Sequence, residues 1–379
     1  MTHFPFEAQR ALFPILARKV QLSSCSQSAL STPVTEAIAR YMASWSEKGM
    51  DWGGWATVLD QAKAEFGRLI HADAADIAVM SCVSDLASSV GNCLQFDAER
   101  NGIVLGEIDF PSLGHVWLAQ QARGASVQFA QPDADGEIAL DDYARLITDR
   151  TRLVSVSQVS YSNGFRQDIA AIGQLARAQG ALFFVDAYQS AGAMQIDVQR
   201  DGIDMLVCGA QKYLLGCPGI AFMYVRRAVA EQLKPVNTGW FGRVNPFAFD
   251  IRTLDYAQGA RRFDTGTPPY INGVAACAGM ALLNAVDMAA IEAHIEHLSA
   301  VVRDEADRLG LPNASPRDPR RKGSNTAIRV ADSAAVERHM AEAGFIVSAR
   351  GDLIRIAPHF YNTEQDVAGA VAALARVLA

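Results

Sequence analysis

Seven short apolar runs separated by helix-length stretches constrain this chain more than any other feature. They are Ile77–Ser81, Ile103–Leu105, Ser126–Ala130, Leu153–Ser157, Leu182–Asp186, Met205–Cys208 and Ile220–Val225. Runs without an alternating polar face suit strands that are covered on both sides. Between them lie amphipathic segments such as His115–Arg123 and Ile169–Gln179. Strand–helix alternation of this kind predicts an α/β fold with a mostly parallel, doubly wound sheet of seven strands.

Beyond Arg262 the pattern changes. A long helical segment is expected from Ile271 to Leu309, then a Pro/Arg-rich loop, then short strands at Thr326–Val330, Gly344–Val347 and Leu353–Ile356. A last helix should start near Glu364, with Thr363 as N-cap and Val367, Val371, Leu374 and Leu378 as its apolar stripe. A length of 379 residues suits two domains. The expected division is a large α/β domain over residues 20–262 and a small α+β domain from residues 1–19 and 263–379, although the first ~20 residues could pack on either.

The net charge of −7 offers no basic field for nonspecific nucleic-acid binding. The cluster Arg317, Arg320, Arg321 and Lys322 reads as a solvated loop. Six cysteines without a CxxC pair fit small buried thiols in a reducing compartment. The stretch Met1–Glu7 lacks the basic and apolar regions of a signal peptide. Asn272, Asn284 and Asp287 interrupt or end the weakly polar stretch Tyr270–Val286, which reads as a buried helix rather than a membrane span. The expectation is a cytoplasmic protein with neither nucleic acid nor membrane as partner.

Chemistry enters at Lys212, just beyond Met205–Cys208, and at Asp186, which ends an apolar strand 26 positions earlier. An amine and a carboxylate on neighbouring strand ends suit pyridoxal 5'-phosphate (PLP), which needs a lysine for its Schiff base and an acid for its pyridine nitrogen. The competing reading is a structural ion pair at the sheet rim. Ser81–Leu86 follows the first strand and opens a helix, so its free N–H groups and the Ser84 hydroxyl suit a phosphate. Ser84 as a plain N-cap is the alternative. Phe110, in Phe110-Pro111-Ser112, could lie against a flat ring or simply pack in the core. His294 and His297 lie at i,i+3 without a ligand framework, so no metal site is expected. No GxGxxG turn follows a strand, which argues against a nicotinamide enzyme.

The order of these motifs resembles the class V aminotransferase-type PLP enzymes of fold type I. That group includes cysteine desulfurases, kynureninases, isopenicillin N epimerase-like proteins and some transaminases. Asp186-Ala187-Tyr188-Gln189 resembles the family's Asp-x-x-His/Gln element. The resemblance implies that Asp186 meets the pyridine nitrogen and Gln189 the ring's phenolic oxygen. Gln211-Lys212-Tyr213-Leu214 resembles the Schiff-base segment, with Gln211 at the phosphate. Val83-Ser84-Asp85 is similar to the phosphate-binding turn, which implies roles for Ser84 and Asp85. Phe110-Pro111-Ser112 and Gly239-Trp240-Phe241-Gly242 are similar to kynureninase elements, the first of them ring-stacking. Tyr161 falls where desulfurases carry an Asn beside the ring.

Gly266-Thr267-Pro268 resembles the element that reaches the phosphate from the neighbouring subunit, so a homodimer with shared active sites is implied. The segment Arg355–Thr363 resembles the one whose Arg holds the substrate α-carboxylate, a task suited to a planar guanidinium. The implied catalytic residues are Lys212, as general base with a depressed pKa, and Asp186.

The resemblance leaves the reaction open. Desulfurases carry a nucleophilic Cys shortly before the position of Arg355, but Ser348–Ile354 contains none, which disfavours persulfide chemistry. Cys25 is the one alternative thiol, with a small packed side chain as its plainer reading. The expected activity is that of a transaminase or kynureninase-like lyase acting on a small amino acid through a Schiff base with the cofactor. Gln189 departs from the His of kynureninases. An epimerase would need a second base, for which Tyr161 or His359 could serve. A PLP-binding protein without turnover is a further alternative, opposed by the joint presence of Asp186, Lys212 and Arg355. Loops around residues 25–55 and 235–260 carry Trp45, Trp52, Trp55, Trp240, Phe241 and Phe247, which suggests an apolar or aromatic substrate side chain.

Overall fold

The computed structural model describes residues 5–379, so the first four residues of the expected small domain lie outside the described residues. The seven predicted strands form one sheet: β1 (Ile77–Met80), β2 (Gly102–Gly106), β3 (Ser126–Ala130), β4 (Thr151–Ser157), β5 (Leu182–Asp186), β6 (Met205–Gly209) and β7 (Ala221–Val225). Their spatial order is β1-β7-β6-β5-β4-β2-β3. Only β7 runs antiparallel to its neighbours.

Alternate residues of each strand enter two apolar layers, because side chains flip face at every step. Val104, Val156 and Leu206 join the layer under α2 (Trp52–Ile70), α5 (Ile169–Ala178) and α6 (Tyr270–Asn284). Ile103, Leu105 and Val207 join the opposite layer, under α3 (Val83–Cys93) and α4 (Pro111–Ala119). Helix α1 (Thr32–Lys48) packs on α6. The parallel strands therefore end at one edge, and the loops after Met80, Gly106, Ser157, Asp186 and Gly209 converge there.

A third apolar cluster joins Leu298, Val302 and Ala306 of α7 (Met288–Arg308) to Ile328, Ile354, Ile356, Val367, Val371 and Leu374. Its three-stranded antiparallel sheet has the order β9-β10-β8, with β8 at Thr326–Arg329, β9 at Ser348–Arg350 and β10 at Leu353–Ile356. Helices α8 (Ser333–Glu342) and α9 (Glu364–Leu378) cover it. Thr363 caps α9 in a reciprocal box with Asp366.

The expected single helix from Ile271 to Leu309 is two helices, α6 and α7, bent by 87°. The break sits at Asp287, whose carboxylate caps α7 through the Ala289 N–H at 3.0 Å. Helix α6 packs in the large core with Leu59 and Phe66, while the small cluster starts at Leu298. Phe6 and Phe13 lie with Phe360 and Tyr361 in that large core. The expected strand Gly344–Val347 narrows to Phe345–Ile346, which pairs in parallel with Val20–Gln21.

The basic cluster is not a uniformly solvated loop. Lys322 is only 6% exposed and donates to the carbonyls of Gly323 (3.1 Å) and Asn325 (2.8 Å). Arg321 pairs with Glu137 at 2.6 Å and covers the Phe165 ring. Among the described residues, no single helix is long and apolar enough to cross a membrane.

Candidate active site

A cavity of about 330 Å³ opens at the convergent strand ends. Ser84, Phe110, Tyr161, Asp186, Gln189, Gln211, Lys212 and Arg355 all line it. Asp85 and Thr267 do not line it. Asp85 sits in the first turn of α3, where a carboxylate complements the helix dipole. Thr267 is exposed and lies outside its own chain's cavity.

Strand β5 delivers Asp186 and strand β6 delivers Lys212. The Asp186 carboxyl is buried, and its Oδ1 accepts the Tyr188 N–H at 2.8 Å. Burial raises its pKa, opposed by that hydrogen bond and by the Lys212 charge. Burial lowers the Lys212 pKa, and the Asp186 charge opposes the shift. The Lys212 ammonium lies 4.1 Å from the centre of the Tyr188 ring and 5.6 Å from that of Phe110. Tyr188 was not singled out from the sequence, yet it organises the site. Its hydroxyl donates to Gln211 Oε1 at 2.6 Å, and its ring covers the end of β6 so closely that a Cβ on Gly209 would lie 2.0 Å from that hydroxyl.

Arg355 is 1% exposed and heavily engaged. It donates to Tyr161 O at 2.7 Å, Ser26 Oγ at 2.9 Å and Ser348 Oγ at 2.6 Å. These bonds fix the guanidinium plane, and Nε is buried without a partner. Gln189 donates to Cys25 O at 3.0 Å, while its Oε1 is buried without a partner. Phe110 meets Tyr161 edge-on, with ring centres 5.1 Å apart.

Asp109, next to Phe110, is a second buried carboxyl that sequence reasoning missed. Its Oδ1 accepts the Ser157 N–H at 2.8 Å, and its Oδ2 is buried without a partner. Burial pushes its pKa up to about 7, and the Asp186 charge adds to the shift. Cys25 is buried and Cys82 exposed, and both line the cavity.

Some expectations fail. Trp45, Trp52, Trp55, Trp240, Phe241 and Phe247 do not line this cavity. They pack on one another or on neighbouring rings, as Trp240 does on Phe241 at 4.4 Å and Trp52 on Tyr270 at 5.8 Å. Contacts between large rings outweigh lining a polar cavity. His359 does not line the cavity either. Its Nε2 donates to Tyr213 O at 3.0 Å, its Nδ1 accepts the Phe360 N–H at 2.8 Å, and burial lowers its pKa to about 4. A neutral imidazole with both nitrogens occupied is no second base. His294 reaches Asn362 O at 2.8 Å and His297 meets Glu364 at 2.7 Å.

The donor set fits pyridoxal phosphate. No side chain caps α3 at Cys82, so the helix presents uncapped N–H groups beside the Ser84 hydroxyl, as a phosphate requires. The Gln211 carboxamide adds N–H donors, since its oxygen is taken by Tyr188. Asp186 and Lys212 supply the acid and the amine in the same cavity.

A doubly wound sheet that presents an acid and an amine at its carboxyl edge, facing a buried arginine from the small sheet across one cavity, defines a fold type I PLP enzyme. The chain matches the family Aminotransferase class-V over residues 22–368 and belongs to it. It is 40% identical to the uncharacterized aminotransferase YcbU of Bacillus subtilis over 98% of this chain and 97% of that protein. It is 28% identical to a kynureninase of Deinococcus radiodurans, over 92% of this chain and 85% of that one. The apo structure of a cysteine desulfurase from Thermococcus onnurineus superposes with a TM-score of 0.89 at 20% identity, covering 100% of this chain and 99% of that chain, which shows the shared fold. The protein is a PLP-dependent enzyme of this family.

Proposed function

We propose that this enzyme is an aminotransferase for a small amino acid. The observation that carries the reading is the joint placement of Lys212, Asp186 and Arg355 on one cavity whose rim hairpin, Ser348–Ile356, holds no cysteine. The 40% identity to an uncharacterized aminotransferase is consistent with it. When bound, pyridoxal phosphate supplies an electron sink for bonds at the substrate α-carbon.

The residues divide the remaining work. Arg355, immobilised by Tyr161, Ser26 and Ser348, receives the α-carboxylate and sets the orientation of the α-carbon. Asp186 holds its charge at the ring nitrogen. The Lys212 amine, its pKa depressed by burial, takes the α-proton and returns it. Ser84, Gln211 and the start of α3 hold the phosphate. Phe110 and Tyr188 flank Lys212 and keep water from its amine.

Of the two aromatic signatures of a kynureninase-like lyase, Phe110 lines the cavity and Trp240 lies outside its own chain's cavity. An epimerase loses His359 as its second base, while Tyr161 lines the cavity.

The reading includes a homodimer in the cytoplasm, with Thr267 of each copy serving the other's phosphate. The exposed apolar loop that carries Phe249 (71% exposed) and Ile251 (97%) supports a covering second copy. The unpaired state of all six cysteines suits a reducing compartment.

The test mixes purified holoenzyme with L-amino acids and no keto acid. Stoichiometric loss of the visible band, restored by a keto acid, supports transamination. Continued turnover with the band retained would replace it with a lyase or epimerase. No response to any amino acid would overturn the catalytic reading.

A further inference from the structure

Four charged side chains line the cavity: Lys212, Arg350, Arg355 and Asp186. As an aminotransferase, the protein commits Lys212 and Asp186 to the cofactor and Arg355 to the α-carboxylate. Arg350 is left without an anion. It sits on β9, one residue from the turn at Gly351, whose φ of +58° lets the hairpin reverse tightly. Ser348 stands opposite Arg355 in the ladder, and Arg350 opposite Leu353. Side chains at i and i+2 of a strand share a face. Since Ser348 Oγ accepts from the Arg355 guanidinium at 2.6 Å, the Arg350 side chain leaves β9 on the same face, and both line the cavity.

Among the described residues of its own chain, no acid pairs with Arg350. Among them its guanidinium makes neither an ion pair nor a hydrogen bond and is exposed at the cavity rim. The nearest acid in the hairpin, Asp352, is paired with Arg329. Glu337, on the helix packed beside β9, accepts the Ala349 N–H at 2.8 Å. A rigid strand thus holds an uncompensated guanidinium about 7 Å along β9 from the residue that fixes Arg355.

We propose that the amino-group donor, or the keto acid that accepts the amino group, carries a second carboxylate, and that Arg350 receives it. The substrate class is the acidic amino acids, aspartate- or glutamate-sized, rather than the apolar class suggested by the aromatic loops. The proposal rests on the aminotransferase reading of the same site. Arg350 is a specificity residue: it engages a group remote from the reacting α-carbon, and the planar fork matches a carboxylate.

Two measurements test it on the holoenzyme. In single-turnover reactions with aspartate, glutamate, alanine and leucine, the acidic substrates react with the larger apparent second-order rate constants. Arg350→Ala lowers the acidic-over-alanine ratio by roughly 10-fold, between the effect of an exposed pair and that of a buried charge-assisted bond. Arg350→Lys recovers part of it, and added salt weakens the wild-type preference. An unchanged ratio in Arg350→Ala, or a wild type that favours leucine, overturns the proposal.

The second measurement needs no turnover. Calorimetric titration compares succinate with propionate, neither of which carries an amine. Tighter succinate binding that is lost in Arg350→Ala supports the assignment even if no amino acid reacts, in which case the aminotransferase reading fails alone. Equal binding of the two acids overturns the Arg350 assignment whatever the enzyme catalyses.

Discussion

Asp109→Asn exposes the electrostatics beneath the site. Asp109 is buried beside Asp186, with one oxygen on the Ser157 N–H and the other without a partner. Burial pushes its pKa from an ordinary 3.8 to about 7. One unit corresponds to ~1.4 kcal/mol, so the whole shift is worth roughly 4 kcal/mol. The folded protein keeps a proton that the unfolded chain has already released between ~pH 4 and ~pH 7. Stability therefore falls as pH rises through that window. Asparagine cannot ionise but still offers an oxygen to Ser157. The stability of Asp109→Asn relative to wild type should be lowest near ~pH 4, grow by up to ~4 kcal/mol toward ~pH 7, and then level off. Urea denaturation of the two apo proteins at one fixed concentration reads this directly, without a cationic ring beside Asp186. A difference that stays constant across the window would refute the reasoning, because Asp109 would then ionise like an exposed aspartate.

Other consequences follow from single contacts. Burial lowers the Lys322 pKa to about 7, so its sign is the reverse: stability rises with pH between the folded value and an ordinary 10.5. The advantage of Lys322→Met over wild type should be largest below ~pH 7 and shrink toward ~pH 10, again read by urea denaturation. Gly192 has φ +89°, and a Cβ there would sit 2.3 Å from Tyr213 O, next to Lys212. Gly192→Ala should cost at least ~2 kcal/mol in stability and weaken cofactor retention, read by thermal melting with and without added PLP. Arg355→Gln should lower the second-order rate constant for amino acids by ~100-fold through loss of the charged contact to the α-carboxylate, read by stopped-flow absorbance.

Much of the fold was legible because six of the seven runs are buried on both faces, so apolarity and length alone marked them, while the edge strand Ser126–Ala130 leaves alternate residues exposed. The polar residues just past those runs marked the site, since strand ends are where such sheets bind ligands. Other features were hidden because distant segments set them. Ser26 and Arg355 are 329 positions apart and meet only through the fold. Arg350 gained meaning from its ladder partner and its lack of an acid, neither of which a local pattern reveals. The bend between α6 and α7 has no Pro or Gly at Ala285–Asp287, so an apolar, Ala-rich stretch read as continuous. Aromatic loops suggested a pocket, but the rings found one another instead. Asp109 stood next to a residue already singled out, and only its burial beside Asp186 distinguishes it.

The most direct test of the central claim is reduction of the PLP-loaded protein with borohydride, followed by peptide mapping to find the lysine that carries the cofactor. One modified peptide, bearing Lys212, is expected, with the visible absorbance band lost on reduction. Lys322 is the other lysine whose pKa burial lowers, but it lies outside the cavity and donates to backbone carbonyls. Modification at Lys322 or elsewhere, or none at all, would contradict the assignment of Lys212 and with it the site described above.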